Sequence, residues 1–247
     1  MSLQSLLDLP WRLHRKWTGG TDDYRAFLFE ELAEVVQDHT LPRILEIGPR
    51  DGIDTRRLLQ FEPEELILAD LPDKEARVRQ WLGEIDDPRI RLIIGNVMYD
   101  DAVESLPPFD LVWCTGVLYH NPEQLRMLRR LHDFLKPGGV LVLESATARR
   151  LFTRHANCVE IWHNEEKAVH RRHHVSQNVT HLPSRRAIAS WLEMIGFVEV
   201  KTSRCHRKIS PGLAATRAAF IARRPLTEAR GTYYTHVELN YVIGKAR

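Results

Sequence analysis

Short apolar segments alternate with amphipathic segments along much of the chain, and this alternation restricts the possible folds more than any other feature. Five apolar segments recur, namely RILEIG, ELILAD, RIRLIIG, FDLVWCTG and GGVLVLESA. Stretches such as PEQLRMLRRLHDFL lie between them and have apolar residues three or four positions apart, as expected for helices. Continuous apolar strands are buried on both faces, so they indicate a parallel sheet that helices cover on both sides.

Two more strands are predicted near the carboxyl end. VEVKTSRC and TRAAFIARR follow the helix SRRAIASWLEMIGF, which Ser184 is predicted to cap and Gly196 to end. Because no helix is predicted between these two strands, they are expected to pair antiparallel. The predicted fold is therefore α/β, with a seven-stranded, mostly parallel sheet, helices on both faces and an antiparallel last strand.

The chain divides into three predicted parts. Residues 1–39 form an amino-terminal helical cap, and residues 40–224 form the main domain. An insertion at about 147–183 breaks the strand–helix rhythm, is rich in His and Arg, and is predicted to cover the substrate. Within residues 225–247, Val237, Leu239 and Tyr241 alternate with Glu238 and Asn240, and this alternation predicts a lid or a segment for homodimer formation.

Composition favours a cytoplasmic protein. Lys and Arg number 35 against 33 Asp and Glu, a balance that gives no argument for nucleic-acid binding. The three cysteines show no paired spacing, which fits a reducing compartment better than a disulfide framework. No apolar stretch approaches the roughly 18 residues that cross a bilayer, so no membrane contact is predicted.

The segment ILEIGPRDGID places Gly48 and Gly52 just after the first predicted strand. A loop at the carboxyl end of a strand in an open parallel sheet lies where ligands bind. The Gly-Lys-Ser/Thr ending of a phosphate-binding loop is absent, and Arg50 takes the place of the middle glycine of the dinucleotide fingerprint. The loop favours a ligand without a pyrophosphate, although a tight turn alone would also explain both glycines.

Polar residues at the ends of the next two strands strengthen the ligand hypothesis. Asp70 follows Glu46 by 24 residues and ends the second strand, where an acid can bind both ribose hydroxyls. Asn96 follows the third strand, where its amide can hydrogen-bond an adenine edge while the backbone of Val97 contacts the ring. Together these strand ends predict a nucleoside site.

In order and spacing, the segments ILEIGPRDG, LILAD, GNVMYD, FDLVWCTGVLYH and LKPGGVLVLES resemble the class I S-adenosylmethionine-dependent methyltransferases. The resemblance covers roughly residues 40–224 and implies a Rossmann-like fold with S-adenosylmethionine as cofactor. GVLYHNPEQLRMLRRLHDFLKPGGVLVLES and HLPSRRAIASWLEMIGFVEV are similar, more narrowly, to the methyltransferases that modify the wobble uridine of tRNA.

The resemblance implies a cofactor contact at each strand end. The implied contacts are, for the methionine part, Glu46, Gly48, Pro49 and Arg50; for the ribose, Asp70; for the adenine, Leu71, Asn96 and Val97; and for the sulfonium, Thr115 and Gly116. Asn96 is a departure, because an Asp is common at this position in the superfamily.

Candidate catalytic and substrate-binding residues follow the fourth strand or lie in the insertion. His120 is the candidate general base because it borders the predicted methyl-transfer pocket, although capping of the next helix explains it equally well. Tyr119 divides in the same way between shaping the pocket and packing. His163 and His181 are candidate acceptor contacts, and a solvated or structural role is the alternative for both.

The predicted function is methyl transfer to an oxygen or nitrogen of a small-molecule acceptor. Two alternatives stay open: a tRNA base-modifying methyltransferase, and a catalytically inactive cofactor-binding subunit. The HRRHH run at 170–174 offers imidazoles, but its spacing matches no known zinc site, so no metal is predicted.

Overall fold

The computed structural model describes residues 24–37, 39–100, 105–149, 153, 155–163, 179–209 and 211–227. Within these ranges the strands are β1 (Arg43–Ile47), β2 (Glu65–Asp70), β3 (Ile90–Ile94), β4 (Phe109–Thr115), β5 (Leu135–Ala146), β6 (Val159–His163), β7 (Val179–Pro183), β8 (Val198–Thr202) and β9 (Arg217–Arg223). The α-helices are α1 (Tyr24–Val36), α2 (Ile53–Leu58), α3 (Glu75–Ile85), α4 (Gln124–Asp133), α5 (Arg185–Ile195), α6 (Cys205–Ile209) and α7 (Pro211–Thr216). Short 3-10 helices occupy Leu59–Phe61, Pro72–Lys74 and Leu118–His120. Among the described residues, no helix combines the length and the apolar character that crossing a bilayer requires.

Most of the amino-terminal cap, the HRRHH run and the tail from residue 228 lie outside the described residues. The predictions made for them stay predictions.

Seven of the described strands form one sheet, in the order β3-β2-β1-β4-β5-β9-β8. Strands β1 to β5 run parallel, whereas β9 pairs antiparallel with both β5 and β8. The predicted α/β fold, with its mostly parallel sheet and antiparallel last strand, is confirmed. The strand order reverses between β1 and β4, which is the point where open α/β sheets bind ligands.

Apolar layers cover both faces of the sheet, as continuous apolar strands predict. One layer contains α4 and α5, and the other contains α1, α2 and α3. Leu128 and Leu192 are fully buried in the first layer, and Leu28 and Leu58 are fully buried in the second. Full burial of each such side chain stabilises the fold by about 1.5–3 kcal/mol.

The connection between β8 and β9 departs from the prediction. Two short helices of the described chain, α6 and α7, lie there, so the prediction that no helix separates these strands is wrong. Helices of five and six residues are too short to show helical periodicity in a sequence. They are recognised instead by what they bury, which includes Cys205, His206 and Leu213.

The described part of the insertion contains a separate two-stranded antiparallel sheet, formed by β6 and β7. It leads directly into α5, whose predicted cap is confirmed because Ser184 Oγ accepts a hydrogen bond from the Ala187 amide at 3.0 Å. Gly196 ends α5 as predicted, in a left-handed conformation with φ 110°.

Candidate functional site

The carboxyl ends of β1, β2, β3 and β4 share one edge of the sheet, and most of the predicted site residues lie in the loops that follow them. Gly48 is left-handed (φ 72°), and its amide donates to the Ala69 carbonyl at 2.9 Å. A Cβ on Gly48 would lie 2.8 Å from Val117 Cγ2. The glycine therefore lets the loop after β1 pass close to the end of β4.

Pro49 and Arg50 form the tip of the same loop. Pro49 is buried, and its carbonyl accepts a hydrogen bond from the Gly52 amide at 2.9 Å. The Arg50 side chain is exposed, while its carbonyl accepts from Trp81 Nε1 at 3.3 Å. A Cβ on Gly52 would lie 2.5 Å from Trp81 Cε3, so this glycine allows the indole of α3 to close against the loop.

Asp70 ends β2 at the position predicted for the ribose contact. Its Oδ1 accepts a hydrogen bond from the Leu71 amide at 2.8 Å, and its carbonyl accepts from the Gly95 amide at 2.9 Å. Burial raises the pKa of Asp70 above its ordinary value. One carboxylate oxygen of Asp70 thus binds the backbone of the following residue, and the predicted ribose contact would fall to the other.

Asn96 shapes the turn that follows β3. Its Oδ1 accepts a hydrogen bond from the Met98 amide at 2.9 Å, so the predicted adenine contact would fall to its NH₂ group, which is a donor. Val97 is buried, and its carbonyl accepts from Arg130 Nε at 3.3 Å, which ties the turn to α4.

A group of buried and half-buried polar side chains lies at this same edge of the sheet; we call it the polar layer. Its members are Tyr24, Arg25, Glu46, Asp54, Thr55, Thr115, Glu144, His206 and Arg217. The sequence predicted only Glu46 and Thr115 as site residues. One further signal was present, because Glu144 interrupts the otherwise apolar strand GGVLVLESA.

Asp54 is a hydrogen-bond centre of the polar layer. Its Oδ2 accepts from Trp113 Nε1 at 3.0 Å and from Thr115 Oγ1 at 3.2 Å, and it lies 3.4 Å from Arg25 Nη1. Strand β4, helix α1 and helix α2 are therefore joined at one buried carboxylate. The Thr115 hydroxyl, predicted to face the sulfonium, is directed to Asp54.

Glu46 is almost completely buried and carries a proton at neutral pH. Its Oε2 accepts a hydrogen bond from Thr55 Oγ1 at 2.7 Å. Burial and the neighbouring charge of Asp54 raise the pKa of Glu46 to about 8, against the smaller lowering effect of the Thr55 hydrogen bond. At pH 7 the carboxyl is therefore mainly neutral.

Glu144 holds Arg217 in a two-point ion pair. Arg217 Nε and Nη2 donate to the two carboxylate oxygens at 2.5 and 2.7 Å, and His206 Nε2 lies 3.4 Å from Oε1. Burial alone would raise the pKa of Glu144, but Arg217 and His206 outweigh it and hold that pKa well below its usual range. Burial and the charge of Glu144 raise the pKa of Tyr24 to about 12, so the phenol stays neutral.

Two guanidinium groups lie beside Gly116, the residue that follows β4. Gly116 is left-handed (φ 75°), and its amide donates to the Glu144 carbonyl at 3.0 Å. A Cβ on Gly116 would lie 3.9 Å from Arg25 Nη2 and 4.0 Å from Arg217 Nη2. We call Arg25 and Arg217 the arginine pair; the predicted sulfonium contact thus lies next to two cations.

Tyr119 and His120 occupy the 3-10 helix just after Gly116. Their ring centroids are 4.1 Å apart, and the Arg217 guanidinium carbon lies 5.8 Å from the Tyr119 ring. His120 is exposed, whereas Tyr119 is half-buried. The structure therefore brings Tyr119 to the arginine pair and leaves His120 at the surface of the same turn.

Gln124 links this turn to the insertion. Its Nε2 donates to the Leu118 carbonyl at 3.2 Å and to the His181 carbonyl at 2.7 Å. His181 thereby reaches the edge of the site through its backbone. His163 lies at the end of β6 and pairs with Val179; its side chain is not among those that the structure describes.

Comparison with known proteins identifies related sequences. The chain matches the family model described as a methyltransferase domain over residues 21–202. It is similar to the tRNA U34 carboxymethyltransferase of Chromohalobacter salexigens, with 29% identity over 206 residues, 78% of this chain and 56% of that protein. It is 30% identical over 199 residues to the protein of the same name from Desulforapulum autotrophicum, covering 78% of this chain and 52% of the relative. The chain thus spans about half the length of the curated relatives it matches.

Solved structures share the fold. The N-methyltransferase NodS from Bradyrhizobium japonicum, in complex with S-adenosylhomocysteine, superposes with a TM-score of 0.57 and 18% identity over 85% of this chain and 91% of that one. The 1,6-didemethyltoxoflavin-N1-methyltransferase of Burkholderia thailandensis superposes with a TM-score of 0.55 and 18% identity over 90% of this chain and 89% of the other.

Proposed function

Because the chain belongs to the family of S-adenosylmethionine-dependent methyltransferases, we propose that it transfers a carboxymethyl group from a carboxylated S-adenosylmethionine to a uridine of tRNA. The predicted enzyme class and sulfonium cofactor are those of the family. The proposal adds the nature of the transferred group and of the acceptor. The observation that supports this addition is the arginine pair beside Gly116.

The chemistry of arginine favours a transferred group that bears a carboxylate. Gly116 is the position implied to face the sulfonium, so the arginine pair would lie beside the transferred carbon. Guanidinium N–H groups only donate hydrogen bonds, and a methyl group accepts none. A carboxylate on that carbon would accept from both side chains in charge-assisted hydrogen bonds. The curated relatives are named for carboxymethyl transfer to tRNA, which agrees with this requirement.

The strand ends fit the rest of a sulfonium nucleoside. Asp70 has an oxygen for the ribose hydroxyls, and Asn96 has an NH₂ group for the adenine edge. Gly116 has no side chain where a Cβ would enter the space beside the arginine pair. When bound, the cofactor supplies the electrophilic carbon and its leaving group, while the protein orients the acceptor and excludes water.

Tyr119 and His120 are the groups proposed to meet the acceptor. Tyr119 lies against Arg217, next to the proposed carboxylate position. His120 is exposed on the same turn, where an incoming acceptor can reach it and give up a proton to its imidazole.

Methyl transfer to an oxygen or nitrogen of a small molecule is the second candidate. The arginine pair favours it when the acceptor, rather than the transferred group, carries a carboxylate. The two candidates therefore differ in which reactant binds the arginine pair, and this difference can be measured.

The test compares two labelled donors and two acceptor pools. The donors are S-adenosylmethionine and its derivative with a carboxymethyl group on the sulfonium; the acceptors are unmodified tRNA and the small-molecule fraction of a host extract. We expect label from the carboxymethyl donor to enter tRNA, with kcat/KM at least about tenfold above that for S-adenosylmethionine, the ratio that one good charge-assisted contact provides. Label found only in the small-molecule fraction would overturn the tRNA proposal, and no turnover with either donor would support an inactive subunit.

Arg217→Lys is the matched variant for this test. Lysine preserves the charge but not the planar fork, which pairs with Glu144 at two points and so keeps Nη2 beside Gly116. We expect the donor preference to fall about tenfold while S-adenosylhomocysteine affinity, measured by calorimetry, changes little. An unchanged preference for the carboxymethyl donor would show that Arg217 does not bind the transferred group.

A further inference from the structure

We infer that Asp54 is a positioning residue that fixes the Arg25 guanidinium beside Gly116 and so sets the preference for a carboxylate on the transferred group. This inference rests on the proposed function and deepens it. Asp54 itself is buried in the first turn of α2 and is argued to act through Arg25.

The Asp54 carboxylate contacts side chains from two other elements of the fold, strand β4 and helix α1. Its Oδ2 accepts hydrogen bonds from Trp113 Nε1 at 3.0 Å and from Thr115 Oγ1 at 3.2 Å, and both donors lie on the central strand β4. The same oxygen lies 3.4 Å from Arg25 Nη1. The strand therefore fixes the carboxylate, and the carboxylate in turn fixes the arginine.

Asp54 holds Arg25 at the site together with Tyr24, which hydrogen-bonds the guanidinium, and the charge of Glu144. A free arginine side chain samples many rotamers, and ordering it costs about 2 kcal/mol of conformational entropy. With Nη1 against Asp54, the second terminal nitrogen, Nη2, lies 3.9 Å from the position of a Cβ on Gly116. One end of the guanidinium is thus anchored and the other end faces the proposed carboxylate.

A helix-dipole role does not account for Asp54. Acidic residues are common in the first turn of a helix because they interact with its free amide groups. Those acids are usually exposed, whereas Asp54 is 3% exposed and its Oδ2 takes side-chain donors from β4 and α1. Glu144 provides the comparison, since it holds the other member of the arginine pair, Arg217, at two points.

The experiment measures a ratio of affinities. Calorimetry gives the dissociation constants of S-adenosylmethionine and of its carboxymethyl derivative, and the ratio reports the carboxylate contact alone. Asp54→Asn keeps an oxygen that can accept from Trp113 and Thr115 but loses the charge that attracts Arg25. We expect the preference for the carboxymethyl donor to fall about tenfold in Asp54→Asn, and to recover in part in Asp54→Glu. Asp86→Asn, the same change at an exposed residue just after α3, should leave the ratio as in the wild type.

Combination with Arg25→Met separates positioning from a general structural role. If Asp54 acts through Arg25, the ratio in Arg25→Met is not lowered further by Asp54→Asn. Where Asp54→Asn does not fold, Asp54→Glu serves: its longer side chain should lower the ratio when Arg25 is present and leave it unchanged in Arg25→Met.

The outcomes distinguish this inference from the proposed function. A wild-type ratio near one would overturn the proposed carboxylate contact and this inference with it. A clear wild-type preference that survives Asp54→Asn, or that falls further when Asp54→Asn is added to Arg25→Met, would overturn the positioning role alone. Equal weakening of both donors would also contradict it, because that result indicates a damaged site.

Discussion

Carboxylates and guanidinium groups pair within the polar layer, except for Glu46, which has no cationic hydrogen-bond partner there. Asp54 pairs with Arg25, and Glu144 pairs with Arg217, so each guanidinium has its own carboxylate. Glu46 has the Thr55 hydroxyl as its hydrogen-bond partner and is neutral at pH 7 because its pKa is raised to about 8. A carboxyl that is neutral when folded and ionised when unfolded makes stability depend on pH.

Replacement of Glu46 by glutamine should remove this pH dependence. Between about pH 4.5 and 8 the wild-type carboxyl is protonated in the folded state and ionised in the unfolded state. Its contribution to stability is therefore complete below pH 4.5 and is lost as the pH rises toward 8, by about 1.4 kcal/mol per pH unit. We expect Glu46→Gln to flatten the curve of unfolding free energy against pH, measured by urea denaturation across this window.

Glu64→Gln is the control for Glu46→Gln, because Glu64 is exposed and undergoes the same chemical change. It should reproduce the wild-type slope. If Glu46→Gln and the wild type have equal slopes, Glu46 is ionised in the folded protein.

At the scale of elements, the turn between β1 and α2 is built against α3. The Trp81 indole donates to the Arg50 carbonyl and packs where a Cβ on Gly52 would lie. The glycine spacing in the sequence predicted a tight strand-to-helix turn. The partner that makes the turn tight, on another helix, had no signal in that spacing.

Two glycine substitutions test this packing. Gly52→Ala places a Cβ 2.5 Å from Trp81 Cε3 at a left-handed residue, and we expect a loss of at least about 2 kcal/mol of unfolding free energy. Gly83→Ala is the matched change within α3, at an exposed position where an added Cβ meets no atom within 4 Å. It should stabilise the protein by about 0.5–1 kcal/mol. Chemical denaturation measures both, and equal effects would contradict the role of Trp81.

At the scale of the whole molecule, α1 is part of the sheet's packing and also of the site. Phe29 stacks on Trp113 with ring centroids 4.1 Å apart, and the Arg204 amide donates to Glu31 Oε1 at 3.1 Å. The same helix carries Tyr24 and Arg25 into the polar layer. The described part of the predicted cap therefore supplies side chains both to the core and to the polar layer.

Phe29→Ala should destabilise the whole fold. The ring is largely buried against Trp113, and its loss leaves a cavity that typically costs about 3–5 kcal/mol. Phe27→Ala, two positions earlier on α1 and only half-buried, should cost less than half as much. Urea denaturation followed by tryptophan fluorescence compares them; a similar loss in both would contradict the role of the Phe29–Trp113 stack.

The fold was predictable because its information is local, whereas much of the site was not. Apolar strands and helical periodicity are read within ten to twenty residues, so the parallel sheet follows from short segments. Arg25 and Arg217 meet beside Gly116 only because α1 packs on the sheet and β9 pairs with β5. Single-sequence patterns do not encode such pairings, and an acid within a strand, as at Glu144, is the nearest available sign.

The two hydrogen bonds of Gln124 have a practical consequence for engineering. One amide group joins the turn that carries Tyr119 to strand β7, which carries His181. An insertion grafted from another enzyme would have to present a backbone carbonyl at the position of His181, because without it the buried amide loses one of its two acceptors. The backbone position of β7 and the residue at position 124 should therefore be designed together in such a chimaera.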